Sequence, residues 1–189
     1  MKQTTPAFTL VITGAPASGK SICLERLKSH TAFAGFIFFD ELARRLLEEN
    51  PDFRHHWHQF HREIYRRQIQ REDSVAGSPF VTDRGTADAF AFHPETAEAV
   101  GTTIEVEYRR YSAVIQLGSS ASLGEKYYAQ DDIRNESLAD TLAIEAAISK
   151  VWRGHPGYHF LPAKKNLETK IRKFIALAVG LIGNRDTEA

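Results

Sequence analysis

Phe8-Thr9-Leu10-Val11-Ile12-Thr13-Gly14-Ala15-Pro16-Ala17-Ser18-Gly19-Lys20-Ser21 is a short apolar, β-branched run that breaks at a glycine, crosses a loop of small residues and enters a helical segment. Gly14 to Ser21 fits G-x-x-x-x-G-K-[ST], the phosphate-binding P-loop pattern. The spacing has a physical basis. Gly14 and Gly19 let the backbone turn sharply and come close to a ligand without Cβ clashes. The intervening Ala15, Pro16, Ala17 and Ser18 shape a nest whose N–H groups face an anion, and the helix that follows adds the positive end of its dipole. Lys20 is placed to bridge the β- and γ-phosphates, and the Ser21 hydroxyl to ligand Mg²⁺. The alternative is a chance glycine-rich turn, which average residue usage produces in roughly one chain in a hundred of this length. A strand before the loop and a helix after it are the context the motif demands, so a nucleoside triphosphate site is expected here.

The bulk numbers narrow the rest. A chain of 189 residues is expected to form one α/β domain over 1–189. With 24 Lys and Arg against 24 Asp and Glu, it has no global attraction to nucleic acid or to a membrane surface. One cysteine, Cys23, excludes an internal disulfide framework and suits a reducing, cytoplasmic setting. No apolar run is long enough for a membrane span, and no signal peptide is read ahead of the first strand.

Downstream of the loop, residues 18–30 read as a helix with Ile22, Leu24 and Leu27 inward. Residues 33–39 form a near-continuous apolar run, as expected of a parallel strand buried on both faces. It ends in Asp40-Glu41, where open α/β sheets bind ligands; the competing reading is a capping acid for the helical segment 42–47. Residues 53–71 are expected to form an amphipathic helix with Phe53, Trp57, Phe60, Ile64 and Ile69 recurring near helical spacing. Its other face carries His55, His56, His58 and His61. A metal shared by His58 and His61 lacks a third ligand, so a solvated face is the better reading. Arg62, Arg66, Gln68 and Arg71 are alternative neighbours of an acceptor.

Pro79-Phe80-Val81-Thr82-Asp83-Arg84-Gly85 reads as a short strand ending in an acid and an arginine. Beside a P-loop such an acid holds the Mg²⁺ shell or orients an acceptor hydroxyl, and Arg84 grips an acceptor or phosphate oxygen. A turn-capping Asp with a surface Arg is the plain alternative. Asp88 is either a helix cap or a pocket residue. Residues 94–110 read as a helix with Arg109 and Arg110 at its C-terminus. Residues 112–117 read as a strand, and 118–136 as a lid segment whose Lys126 and Arg134 can close over phosphates. Helices over 135–152 and 166–182 flank a last strand, 158–161.

Together, Gly14–Ser21, Glu41-Leu-Ala-Arg44, Asp83-Arg84-Gly85 with Asp88, and Arg134-Asn-Glu136 resemble the kinase-like P-loop NTPases. The nearest group is the small "AAA domain" ATPases related to the nicotinamide-riboside kinase domain; deoxynucleoside and thymidylate kinases are more distant. The resemblance implies a three-layer α/β/α sandwich with a mostly parallel five-stranded sheet. It also implies ATP and Mg²⁺ as donor and cofactor, with a small, nucleoside-like acceptor. The acid after the second strand then acts toward the acceptor hydroxyl, with Glu41 the better match and Asp40 the second. The chain departs from that pattern in two places: no proline follows the acid, and Gly85 stands where the pattern has serine. The expected machinery is Lys20, Glu41, Asp83, Arg84 and Arg134, with Ser21 and Asp83 at the metal. A regulatory ATPase or nucleotide switch without a small-molecule acceptor is the other class the motifs allow.

Overall fold

The computed structural model describes residues 7–128 and 136–183. β1 (Thr9–Thr13) is the strand that the rest of the fold surrounds. Its side chains alternate between two apolar layers, as the two-residue period of a strand requires. Leu10 and Ile12 face a cluster with Cys23, Leu27, Ile171 and Phe174, while Val11 faces Phe80, Phe90, Ile148 and Trp152 on the other side. Burying a Leu, Ile or Phe side chain contributes about 1.5–3 kcal/mol, so two such layers hold the strand in one register.

The remaining strands are β2 (Ile37–Phe39), β3 (Phe80–Asp83), β4 (Ala113–Leu117) and β5 (Tyr158–Leu161). All pairings are parallel and the order is β2-β3-β1-β4-β5. The helices are α1 (Lys20–Lys28), α2 (Leu42–Glu49), α3 (Trp57–Asp73), α4 (Asp88–Phe92), α5 (Thr96–Val100), α6 (Ile104–Tyr108), α7 (Leu138–Trp152) and α8 (Leu167–Gly183). α1 packs against α8 on one face of the sheet; α4 packs against α7 on the other. The expected three-layer sandwich is therefore present, with its five strands wholly parallel. A third cluster, Leu42, Leu46 and Phe60, joins α2 to α3 away from the sheet.

Four local expectations need correction. The apolar run 33–39 is a strand only over Ile37–Phe39, because Gly35 turns the chain at φ 89° and leaves Phe33 in a tight 3₁₀ turn, buried in the core. The helix expected from Phe53 starts at Trp57; Pro51–His55 is a separate 3₁₀ turn capped by Asn50, whose side chain accepts from Asp52 N. The helix expected over 94–110 is split into α5 and α6 by Gly101, left-handed at φ 71°. Ile22 is 45% exposed and plays no part in the core, whereas its neighbours Cys23 and Leu24 are buried. Among the described residues, no helix is long and apolar enough to cross a membrane.

Candidate active site

The P-loop joins β1 to α1, and its shape depends on its glycines. Gly14 has φ +153°, and a Cβ there would lie 2.5 Å from Leu117 O, so the loop closes against the end of β4 only without a side chain. Gly19, left-handed at φ 77°, turns the loop into α1. The loop is braced from behind. Ser119 Oγ donates to Pro16 O at 2.6 Å, and Ser120 N to Ala17 O at 3.1 Å. Lys170, reaching across from α8, donates to Ser18 O at 2.7 Å and Gly118 O at 2.6 Å. Burial lowers the Lys170 ammonium to about 8. Within the loop, the buried Ser18 Oγ has no hydrogen-bond partner among the described residues.

Lys20 donates to Gly14 O at 3.2 Å. Its pKa is lowered first by burial and then by Arg84, against the pull of Asp83, Glu41 and Asp88. Those four neighbours arrive from the ends of β2 and β3 and the start of α4. In the parallel register Ile12 pairs with Asp83, which brings the end of β3 beside the mouth of the P-loop. Asp83 is buried and its Oδ1 has no partner among the described residues. Burial raises its pKa, while Lys20 opposes the shift. Ser21, Asp83, Glu41 and Arg44 border one cavity of about 210 Å³.

Arg84 sits in the left-handed region at φ 68°, a conformation that is costly for a residue with a side chain. It aims the guanidinium back toward the strand ends, where Nε donates to Glu41 Oε1 at 2.8 Å. Nη1 lies 3.5 Å from Asp88 Oδ1, and the guanidinium carbon lies 4.9 Å from the centroid of the Phe92 ring. Burial alone would raise the Glu41 carboxyl, but Arg84 and Lys20 together outweigh it and hold it at about 2. Of the two roles the sequence left open for Asp88, it takes the pocket one; the N-cap of α4 is Ala87, which makes no side-chain cap. Asp88 starts α4, accepting from Gly85 N at 2.9 Å and also from Thr13 Oγ1 and Trp152 Nε1, and it borders the larger cavity. Gly85 is tightly packed: a Cβ would lie 3.0 Å from the side chains of Trp152 and Val11, so a larger residue there requires those side chains to shift.

That larger cavity, about 620 Å³, runs from Glu41 and Arg84 outward between α2, α3, α4 and α7. Gln68 borders it, but Arg62, Arg66 and Arg71 do not. Arg71 donates to Asp40 O at 2.6 Å and lies over the Phe39 ring at 5.0 Å. Arg62 and Arg66 border a separate hollow of about 450 Å³ near Ala99 and Val100. His61 overturns the expectation of a solvated face: it is buried, stacked with Trp57, Phe92 and His93. Among the described residues there is no group of three or more metal-binding side chains, so His58 and His61 have no third ligand. Asp40, the second choice after Glu41, is exposed and paired with Lys28 at 3.1 Å. Arg109 caps α6, and Arg110 pairs with Glu72 at 3.1 Å and Asp73 at 2.6 Å, remote from the loop. Lys126 lies in the 3₁₀ turn Glu125–Tyr127. Arg134 lies outside the described residues.

A family model described as an AAA domain matches residues 9–170, the span from β1 to Lys170. The chain belongs to the AAA domain family. No curated protein matches the AAA-domain chain. Its fold is found in solved structures. Deoxyadenosine kinase from M. mycoides, with bound dATP, superposes with a TM-score of 0.59 at 13% identity, over 89% of this chain and 97% of its own. Thymidylate kinase from Candida albicans superposes with a TM-score of 0.66 at 14% identity, over 98% and 96%. The AAA-domain chain thus has a kinase-like P-loop fold.

Sequence reasoning missed Lys170 and the aromatic wall of the large cavity. Lys170 had a faint signal, as the one charge interrupting the apolar stripe Leu167, Ile171, Phe174 of α8. The wall had none, because Trp57 and Phe92 come from different helices.

Proposed function

We propose that this AAA-domain protein is an ATP- and Mg²⁺-dependent phosphotransferase that acts on a small hydroxylated acceptor. One observation carries the reading. Lys20, Glu41, Asp83 and Arg84 converge at the strand ends, with the P-loop on one side and a cavity of about 620 Å³ on the other. A regulatory ATPase needs the first half of that arrangement and has no use for the second. The likeness in fold to two kinases supports the same choice. ATP is preferred over GTP because the chain has no Asn-Lys-x-Asp guanine signature.

In this reading the loop amides and Lys20 hold the donor phosphates. Ser21 and Asp83 fit a magnesium ion: they border one cavity, and Asp83 Oδ1 is a buried acceptor without a partner. Bound there, the ion would neutralise charge on the transferring phosphates. Glu41 accepts the hydrogen bond of the acceptor hydroxyl. The acceptor oxygen bonds the γ-phosphorus as the bond to ADP breaks. A carboxylate held at about 2 is a weak proton acceptor, so Glu41 contributes mainly orientation and receives the hydroxyl proton only late, as the oxygen–phosphorus bond forms, passing it on to water. Arg84 fixes Glu41 in place, and Arg134 of the lid segment steadies charge on the moving group. Residues 1–189 act as a single domain in this scheme.

The test is ADP release with and without a panel of nucleosides, nucleotides and other alcohols, with mass detection of phosphorylated products. Acceptor-dependent ADP release with a matching product is expected. ATP hydrolysis indifferent to every acceptor overturns the reading in favour of a regulatory ATPase.

A further inference from the structure

The large cavity has two chemically different ends. At the P-loop end, Glu41 and Asp88 face Arg84, which is committed to both of them and to the face of Phe92. Arg84 Nη1 makes no hydrogen bond among the described residues, but Glu41, Asp83 and Asp88 set three carboxylates against this one guanidinium along the cavity, so its inner end has no net positive charge for an anionic acceptor. Bringing a second phosphate there means stripping its water next to carboxylates, which opposes binding.

Farther out the walls are apolar. Leu42 and Leu47 come from α2, Phe60 and Ile64 from α3, and Phe92 from α4. Trp57 stands edge-on to Phe60, with ring centroids 5.2 Å apart. Trp57 and Phe92 are among the few large apolar side chains left exposed, at 52% and 38%, and both border this cavity. Such rings favour a flat partner, through area and through edge or face contacts.

Two of the polar side chains that could read a polar ring, Gln68 and His93, are already engaged. Gln68 Nε2 donates to Glu72 Oε1 at 2.5 Å and to Thr82 Oγ1 at 2.9 Å, and Gln68 Oε1 accepts from Arg71 Nη2 at 2.5 Å. His93 is engaged by Thr96 and Glu95. His61 Nδ1 and, at the inner end, Arg84 Nη1 are the buried nitrogens of this cavity without a hydrogen-bond partner among the described residues. A ring edged with several donors and acceptors would leave most of them unpaired, which opposes its binding.

Resting on the phosphotransferase reading above, we propose that the acceptor is an uncharged alcohol whose body is planar and largely apolar. Its hydroxyl lies at Glu41 and its ring lies among Trp57, Phe60 and Phe92. The volume of about 620 Å³ is ordinary for a small-molecule site.

The test separates binding from chemistry. Calorimetry on the full chain, with a non-hydrolysable ATP analogue and Mg²⁺ present, uses four probes. 2-(2-Naphthyl)ethanol has the proposed character; 2-naphthylacetate keeps the body and adds a negative charge. Adenosine is an uncharged alcohol with a polar ring, and AMP adds a phosphate to it. Naphthylethanol is expected to bind at least about tenfold more tightly than each of the other three. Trp57→Ala is expected to weaken naphthylethanol by about tenfold, within the range of aromatic contacts at an interface. Since Trp57 is more than half exposed, the variant is expected to keep its circular dichroism spectrum. Equal or tighter binding of either anion overturns the proposal, as does tighter binding of adenosine, absence of naphthylethanol binding, or an unchanged affinity in Trp57→Ala. Failure of the phosphotransferase reading shows instead as missing product in the turnover assay, whatever the calorimetry finds.

Discussion

Arg84 Nε donates to Glu41 Oε1 at 2.8 Å, joining residues 43 positions apart. Glu41 lies between β2 and α2 and Arg84 follows β3, two neighbouring strands of the sheet. The contact therefore ties together the two strand ends that flank the cavity, and it fixes the direction in which Glu41 faces Lys20.

Glu41→Gln is expected to lower acceptor phosphorylation by about 10²-fold, the lower end of general-base effects, because a carboxyl held at about 2 acts mainly by orientation. ATP affinity is expected to change little, since Glu41 contacts the acceptor in this scheme. The pH profile gives a separate check. Glu41 is depressed below its ordinary 4.5, so it is ionised across pH 5–8 and contributes no limb there. The stability from its pairing is present above about pH 4.5 and is lost as pH falls toward 2. A wild-type rate profile with an acid limb near pH 6 that vanishes in Glu41→Gln contradicts this.

Asp83→Asn tests the metal assignment. The buried, unpartnered Oδ1 and the raised pKa both describe a carboxylate waiting for a counter-charge. The variant relieves that burial, so its thermal midpoint is expected to match or exceed that of the wild type. Its apparent Mg²⁺ requirement in a turnover titration is expected to rise at least about tenfold. An unchanged Mg²⁺ dependence removes Asp83 from the site.

Lys170→Met tests the brace beneath the P-loop. It leaves Ser18 O and Gly118 O without their shared donor and is expected to lose about 1–3 kcal/mol at neutral pH, read from urea unfolding. The folded ammonium titrates at about 8 against an ordinary 10.5, so the unfolded chain binds more protons between those values. Wild-type stability therefore rises, relative to the Met variant, as pH increases from about 8 to 10.5. Parallel pH curves for the two proteins refute the linkage.

His61 supplies an acid-side test. Burial, with a smaller push from His93, lowers it from 6.5 to about 4. Between those values the unfolded state binds the proton and the folded state does not, so stability falls as pH drops from 6.5 to 4. His61→Phe removes that component, and its urea midpoint is expected to decline less steeply than the wild type over the same window. Identical slopes place His61 in water.

What the linear sequence determined is whatever depends on neighbours a few residues apart. Gly14 to Ser21 defines its own loop, because two glycines, a lysine and a hydroxyl at fixed offsets leave the backbone few alternatives. The alternation of Leu10, Val11 and Ile12 marks a strand buried on both faces, and the acids after β2 and β3 could be singled out from their places at strand ends. Tertiary structure decided what depends on side chains from distant elements meeting. Asp40 and Glu41 are adjacent, yet in the fold one pairs with Lys28 and the other with Arg84. His61 looked solvated because helical spacing tells which side chains share a face and not what covers that face; Phe92 at the end of α4 and His93 just after it cover it. Lys170 is 152 residues from Ser18, and no local pattern links a helix lysine to a loop carbonyl at that separation. The cavity wall is likewise a product of four helices, α2, α3, α4 and α7, converging, so its chemistry belongs to the fold and not to any one stretch of the chain.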